Sequence, residues 1–483
     1  MGKLKDWWTF NPEEEAKSND SVHKPLTFDK RRNALPLLIL GFTWGFLVTG
    51  LLIGGTIGPY MPFYSGTVPA TIIGCLVLFV IAVLTGMVGY KLGGTNDMAF
   101  QFAYGKKGRR MPAIFLLVVI MGFQGIVVGG TASFWLKGTD HPAFFWVALF
   151  FGLLFTYTCY VGINLIEKIS NPAMVLLIFI SIYAIFYNIS KVGGWSAFNS
   201  KTMEMAANVD GGPMSMATAI NLVIGSWIAG AVLTSDFTRF ARNKWVAIGM
   251  LAICFFFTQV LLIGMGAIGA VISGSYDFTQ YLFGISPVMG IIAMIAMTLA
   301  MWTSSNTNLY LPSTQVAAIF KRPFKVAVVI CGLIGTMLGA FGFFEQFSSF
   351  IGGIAAVIPP LAGPMIADFW IVHRTKYEVK YLDQLPEINI PSVIAASVGI
   401  IATLMCTGFP TLGLQPVAFL AQPWIVPSIL GVIVSVVMYL AAFYVFKALG
   451  IHSGYSKAIE NEGMNQETAL TGNEEDNMAK VNI

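Results

Sequence analysis

The chain has 483 residues, of which 56% are hydrophobic and 11% charged, with a mean hydropathy of +0.73. Soluble domains carry about a quarter charged residues, so a water-soluble enzyme is excluded, and the wealth of aliphatic and aromatic residues excludes a disordered chain. What remains is an integral membrane protein.

A bilayer core of roughly 30 Å needs about 20 helical residues. Twelve apolar runs of suitable length follow one another, at about 34–58, 68–90, 112–136, 141–163, 168–190, 214–236, 245–274, 286–309, 323–344, 346–372, 391–409 and 421–450. None alternates as a barrel strand would, so the fold class is all-α with twelve transmembrane helices. Residues 1–33 lack the apolar stretch and cleavage site of a signal peptide and read as a polar tail. Residues 451–483 read as a second, acidic tail.

Twelve spans put both termini on one side, and that side then holds 25 of the 28 Lys and Arg residues. Only Lys137, Lys191 and Lys201 fall opposite. The positive-inside rule therefore places the termini and the 373–390 loop in the cytoplasm of a cell-membrane protein, and the 191–213 loop outside. The net charge of +4 reflects this sorting and gives no reason to expect a nucleic-acid partner.

The first run, GFTWGFLVTGLLIGGTIGP, interleaves Gly41, Gly45, Gly50, Gly54, Gly55 and Gly58 with threonines. Such spacing suits either close helix packing or a helix that unwinds at the midplane to offer carbonyls to a solute. The sixth run again has small residues mid-span, Gly225, Ser226, Ala229 and Gly230. Interrupted helices five apart are the mark of an inverted repeat, here 34–190 against 214–372, followed by two further helices at 391–450. The eighth run places Thr303, Ser304, Ser305, Asn306, Thr307 and Asn308 in succession, either as an interfacial cap or as hydroxyls completing a cation site against the broken first helix. The tenth run, with Gly352, Gly353, Pro359, Pro360, Gly363 and Pro364, is expected to kink and to serve as a gate.

Charged residues inside the runs are few. Asp236 with Arg239, Glu345, and Asp368 with Arg374 are placed near run ends, which disfavours a carboxylate proton relay. The cysteines Cys75, Cys159, Cys254, Cys331 and Cys406 read as apolar fillers, and His23, His141, His373 and His452 form no bis-histidine site. No cofactor and no catalytic residues are expected.

The segments GGTIG (54–58), GYKLGGTNDMAFQFAYGKKG (89–108), LTSDFTRFARN (233–243), WTSSNTNLY (302–310) and IPPLAGPMIADFWIVHR (358–374) resemble the purine/cytosine permeases of the nucleobase:cation symporter family 1. The resemblance is collinear from about residue 27 to 380. It implies a twelve-helix inverted-repeat fold importing a nucleobase or related heterocycle with sodium or protons. It places the carbonyls of Gly41 and Trp44 and the hydroxyls of Thr303 and Ser304 at the cation site, sodium being favoured. It also places Phe123 and Trp227 on the two faces of a planar substrate. Ile120 and Ala300 stand where cytosine permeases carry amides, which puts cytosine in doubt. Gln124, Asn221, Ser226 and Asn306 are the substitute polar contacts. A purine, a pyrimidine vitamin precursor or an allantoin- or hydantoin-like ring, with proton coupling or facilitated transport, stays open. A membrane sensor or channel is the reading from a different class.

Overall fold

The structure is a computed structural model that describes residues 25–161, 164–209, 212–274, 284–320, 322–408, 413 and 415–459. The outer parts of both expected tails, 1–24 and 460–483, lie outside the described residues. Regular structure is almost wholly helical; an isolated bridge joins Arg32 to Ala241.

Each apolar run coincides with helix. In chain order these are α1 (Ala34–Gly45), α2 (Val48–Tyr60), α3 (Phe63–Leu92), α4 (Asn96–Tyr104), α5 (Arg110–Leu136), α6 (Phe144–Val161), α7 (Asn164–Val192), α8 (Trp195–Ala207), α9 (Met216–Val232), α10 (Ser235–Thr238), α11 (Lys244–Ser273), α12 (Pro287–Phe320), α13 (Phe324–Ala340), α14 (Phe343–Val372), α15 (Ile390–Thr407) and α16 (Pro427–Ala448). Eight described helices are individually long and apolar enough to cross a bilayer, and the bent α1–α2 pair makes a ninth. The remaining runs lie on shorter apolar helices at Ile178–Val192, Met216–Val232 and Phe324–Ala340. The expected external loop 191–213 is largely helical: α8 packs Trp195 and Phe198 around Phe63, and Thr202 accepts the Phe63 N–H at 3.0 Å.

The first run breaks where no glycine stands. Phe46 (φ −80°, ψ 81°) is the centre of an inverse γ-turn, with the Leu47 N–H bonded to the Gly45 carbonyl at 2.9 Å. That carbonyl also accepts Gln259 Nε2 of α11 at 2.8 Å. The helix resumes at Val48, bent by 46°. The glycines instead permit contact with α11. A Cβ on Gly54 would lie 2.0 Å from the Ile263 carbonyl oxygen, and one on Gly266 2.0 Å from that of Leu51. Gly266→Val is therefore expected to cost on the order of 3 kcal/mol through overpacking, seen as a lowered thermal midpoint of the purified protein; an unchanged midpoint would show that the two backbones can part freely.

The second interruption falls in α9, whose Trp227 leaves helical geometry (φ −142°, ψ 18°). Beyond it, hydroxyls of the LTSDFTRFARN stretch clasp the α3 backbone. Thr234 Oγ1 donates to Ala82 O (3.1 Å), Ser235 Oγ to Thr85 O (3.1 Å) and Thr238 Oγ1 to Gly86 O (2.6 Å). Thr85 answers by donating to Ala231 O at 2.7 Å. These polar groups are buried, so in an apolar bundle their mutual pairing fixes α9 and α10 against α3.

The proline-rich α14 is helical from Phe343 to Val372, passing from a 3-10 turn through an α-helix that contains Pro359, Pro360 and Pro364 to a π-helical end. Pro364 has no N–H for the Pro360 carbonyl, and Ser435 Oγ of α16 donates to it instead at 2.8 Å. Gly399 of α15 and Gly431 of α16 leave room for the Pro360 ring, so the prolines form a packing face.

Candidate functional site

The break between α1 and α2, the distortion in α9, and the middles of α5 and α12 meet at one enclosed cavity. Its lining includes Val48 and Thr49 from the start of α2, Phe123 and Val127 from α5, Trp227 from α9, and Met301, Ser304 and Asn308 from α12. The water-accessible space is about 10 Å³, room for roughly one water molecule.

Aromatic rings close it. Phe123 and Trp227 stand edge to face, with centroids 6.4 Å apart and planes at 79°. Trp44, singled out for its carbonyl, also puts its ring edge-on against Trp227 at 5.8 Å. Phe255 of α11 stacks on Trp227 at 6.4 Å and 26°, and Phe350 of α14 meets Phe123 edge-on at 5.5 Å.

The γ-turn bears on the expected cation ligands. Because the Leu47 N–H turns to Gly45, the Thr43 carbonyl drops out of the helical ladder, and no i→i+4 bond crosses from Val48 to Trp44. The Trp44 carbonyl thus stands at a helix end with acceptor capacity to spare, whereas Gly41 lies one turn inside α1. On α12, Thr303 Oγ1 donates to Ala300 O at 2.7 Å. Ser304 Oγ is buried with no hydrogen-bond partner, as is Thr49 Oγ1 across the cavity.

The expected polar contacts scatter. Ser226 Oγ donates to Val223 O within its own helix at 2.6 Å. Gln124 Nε2 donates to Ser305 Oγ at 2.8 Å, on the face of α5 turned towards α12 and α13, and its Oε1 is buried without a partner. Asn221 Oδ1 accepts the Ser428 N–H at the start of α16 at 3.0 Å. Asn306 Nδ2 donates to Trp302 O at 2.8 Å. None of these four lines the cavity, and neither do Ile120 and Ala300. Thr49 and Asn308, noted in the first and eighth runs but given no part in substrate contact, do. A signal for Asn308 existed: it follows Ser304 by four residues and so shares its helix face.

The family model described as the permease for cytosine/purines, uracil, thiamine and allantoin matches residues 32–431. The chain belongs to this cytosine/purine permease family. Cytosine permease of Escherichia coli (strain K12) is 28% identical to this permease over 389 residues, covering 80% of this chain and 89% of the relative. Hydantoin permease of Microbacterium maritypicum is 24% identical over 336 residues, covering 63% and 66%. The inward-facing conformation of Mhp1 superposes with a TM-score of 0.74 at 18% identity, covering 94% of this chain and 97% of that one. Mhp1, a nucleobase-cation-symport-1 family transporter, in a closed conformation with bromovinylhydantoin bound, gives 0.70 at 18% identity, with coverages of 88% and 96%. These superpositions establish a shared fold.

One carboxylate of the permease, Asp368, is near a run end as expected but is paired differently. Asp368 lies in the last turn of α14, fully buried, and its partner is not Arg374. Tyr377 and Tyr439 donate their hydroxyls to it, and His373 Nδ1 stands 3.1 Å away. It does not line the cavity, so it holds α14, α16 and the following segment together and is not poised to relay protons. Burial pulls the His373 imidazole down from its ordinary value of 6.5, but Asp368 more than offsets this and the net shift is upward. A raised folded value means that the clamp contributes fully below about pH 6.5 and is lost as pH rises through the folded pKa. The thermal midpoint should accordingly fall between pH 6 and pH 9 in the parent; His373→Gln should flatten that decline, and an equal slope in both would refute the assignment.

Proposed function

We propose that the chain is a secondary active transporter that imports a small planar nitrogen heterocycle, a nucleobase or a hydantoin-type ring, by symport with sodium across the cell membrane. It works by alternating access on a twelve-helix framework of two inverted five-helix repeats plus two further helices, with both termini in the cytoplasm. The observation that carries this reading is the convergence of two interrupted helices, α1–α2 and α9, on one aromatic-walled cavity that also holds the unpartnered Ser304 hydroxyl. Interrupted helices at a shared cavity offer helix ends and free carbonyls where ions and substrates bind.

The substrate class is supported by the ring-rich walls and by the relatives, a cytosine permease and a hydantoin permease. Phe123 and Trp227 take the two faces of the ring. Contact on both faces needs the walls roughly 7 Å apart and parallel, so substrate entry turns one ring out of the present edge-to-face contact. Thr49 and Asn308 supply polar contacts along the ring edge. Sodium is held by the Trp44 and Gly41 carbonyls and the hydroxyls of Thr303 and Ser304, all hard oxygen ligands of the kind such a cation takes. Among the described residues no carboxylate lines the cavity, and Asp368 is committed elsewhere.

The test is uptake into proteoliposomes of cytosine, a purine, hydantoin and allantoin, each with an inward sodium gradient and with choline in its place at constant pH. At least one ring should accumulate only with sodium. Accumulation at the same rate in choline would defeat sodium coupling, and a panel in which no planar ring is taken up would defeat the substrate class.

A further inference from the structure

At the end of α16 that the Lys and Arg distribution assigns to the cytoplasm, the following chain forms with it a second, half-open pocket, about 470 Å³ in volume. Its apolar wall is Phe443, Ile451 and Ile459; its polar side presents Lys447, His452 and Ser453. No carboxylate lines it among the described residues. Ser453 Oγ is buried with no hydrogen-bond partner. Ile433, Val437, Tyr444 and Val445 on the same helix are all more than half exposed, which marks α16 as a lipid-facing helix. The pocket therefore sits where acyl chains give way to headgroups.

We propose that this pocket binds an anionic phospholipid of the phosphatidylglycerol type. The Lys447 ammonium supplies the positive charge, and the Ser453 hydroxyl supplies a donor for a phosphate oxygen. Phe443, Ile451 and Ile459 cover the first carbons of an acyl chain, which a free phosphate ion lacks. A choline headgroup would bring a second cation towards Lys447 and bind less well. Basic pockets at the ends of membrane helices have this preference, and each Lys near an anionic headgroup contributes severalfold in affinity. The site also reaches the fold's interior, since Ser456 of the same lining holds His373 Nε2 at 2.9 Å, and His373 in turn holds Asp368. Lipid in the pocket thus braces the end of α14.

The experiment titrates the delipidated full-length protein in detergent with short-chain phosphatidylglycerol, phosphatidylcholine or inorganic phosphate, and follows thermal unfolding. Phosphatidylglycerol should raise the midpoint saturably, and Lys447→Gln should raise the lipid concentration for half-effect roughly fivefold or more. Lys325→Gln, at the end of another helix, should leave it unchanged. Because Lys447 is exposed, its replacement should leave the lipid-free midpoint near that of the parent. If Lys447→Gln and the parent respond alike to phosphatidylglycerol, the site is not there. Equal half-effects for phosphatidylcholine reduce the pocket to an apolar slot, and full stabilisation by inorganic phosphate reduces it to an anion site; each overturns the lipid assignment.

Discussion

Replacing Trp227 by alanine is expected to weaken binding of whichever heterocycle stabilises the parent protein by about 100-fold or more. Trp227 is 4% exposed, stands at the distorted point of α9, and touches Phe123, Trp44 and Phe255 at once. Deleting such a ring removes about 3 kcal/mol of apolar and ring–ring contact, which is roughly two decades in affinity. Part of that loss falls on the folded state, so the lowered midpoint of the ligand-free variant must be measured alongside. Trp227→Phe separates the two effects, because it keeps a flat face and should retain binding within roughly tenfold. If Trp227→Ala binds the ring as the parent does, in isothermal titration with a folded sample, the stacking assignment is wrong.

The double replacement Thr303→Ala with Ser304→Ala is expected to remove sodium stimulation of uptake, raising the half-saturating sodium concentration by about tenfold or more. The two hydroxyls differ in their present bonding. Thr303 is tied to the Ala300 carbonyl, whereas Ser304 Oγ is buried without a partner. A buried hydroxyl left unpaired costs about 1–3 kcal/mol, so Ser304→Ala alone should leave the sodium-free protein as stable as the parent or more stable, while sodium protection declines. Sodium-dependent thermal shifts identical in parent and double variant would place the cation elsewhere.

The hydroxyl-rich stretches show why motif residues and site residues need not coincide. Thr234, Ser235 and Thr238 lie in a segment carrying the family likeness, yet all donate to the backbone of α3. Asn221 and Gln124 looked like ring-edge contacts and instead cap α16 and bind Ser305. Asp368, grouped in sequence with Arg374, sits among tyrosines brought from two other parts of the chain. Sequence distance carries no information about such partners, and in an apolar bundle every buried polar group takes one wherever the packing supplies it.

The amino-acid sequence alone determined that this is a multi-helix membrane protein, because apolar runs of bilayer length depend only on local composition. It also pointed to the first and sixth runs as the interrupted ones, although the first-run glycines serve close packing on α11 and the breaks themselves fall at Phe46–Leu47 and at Trp227. Only the tertiary structure decided where the first break falls, at Phe46–Leu47, through Gln259 reaching from α11 to the Gly45 carbonyl. It decided too that Phe123 enters the cavity while its neighbour Gln124 does not. Adjacent helical residues point about 100° apart, and the rotation of a helix that is apolar on every side is set by what packs against it, not by its own pattern.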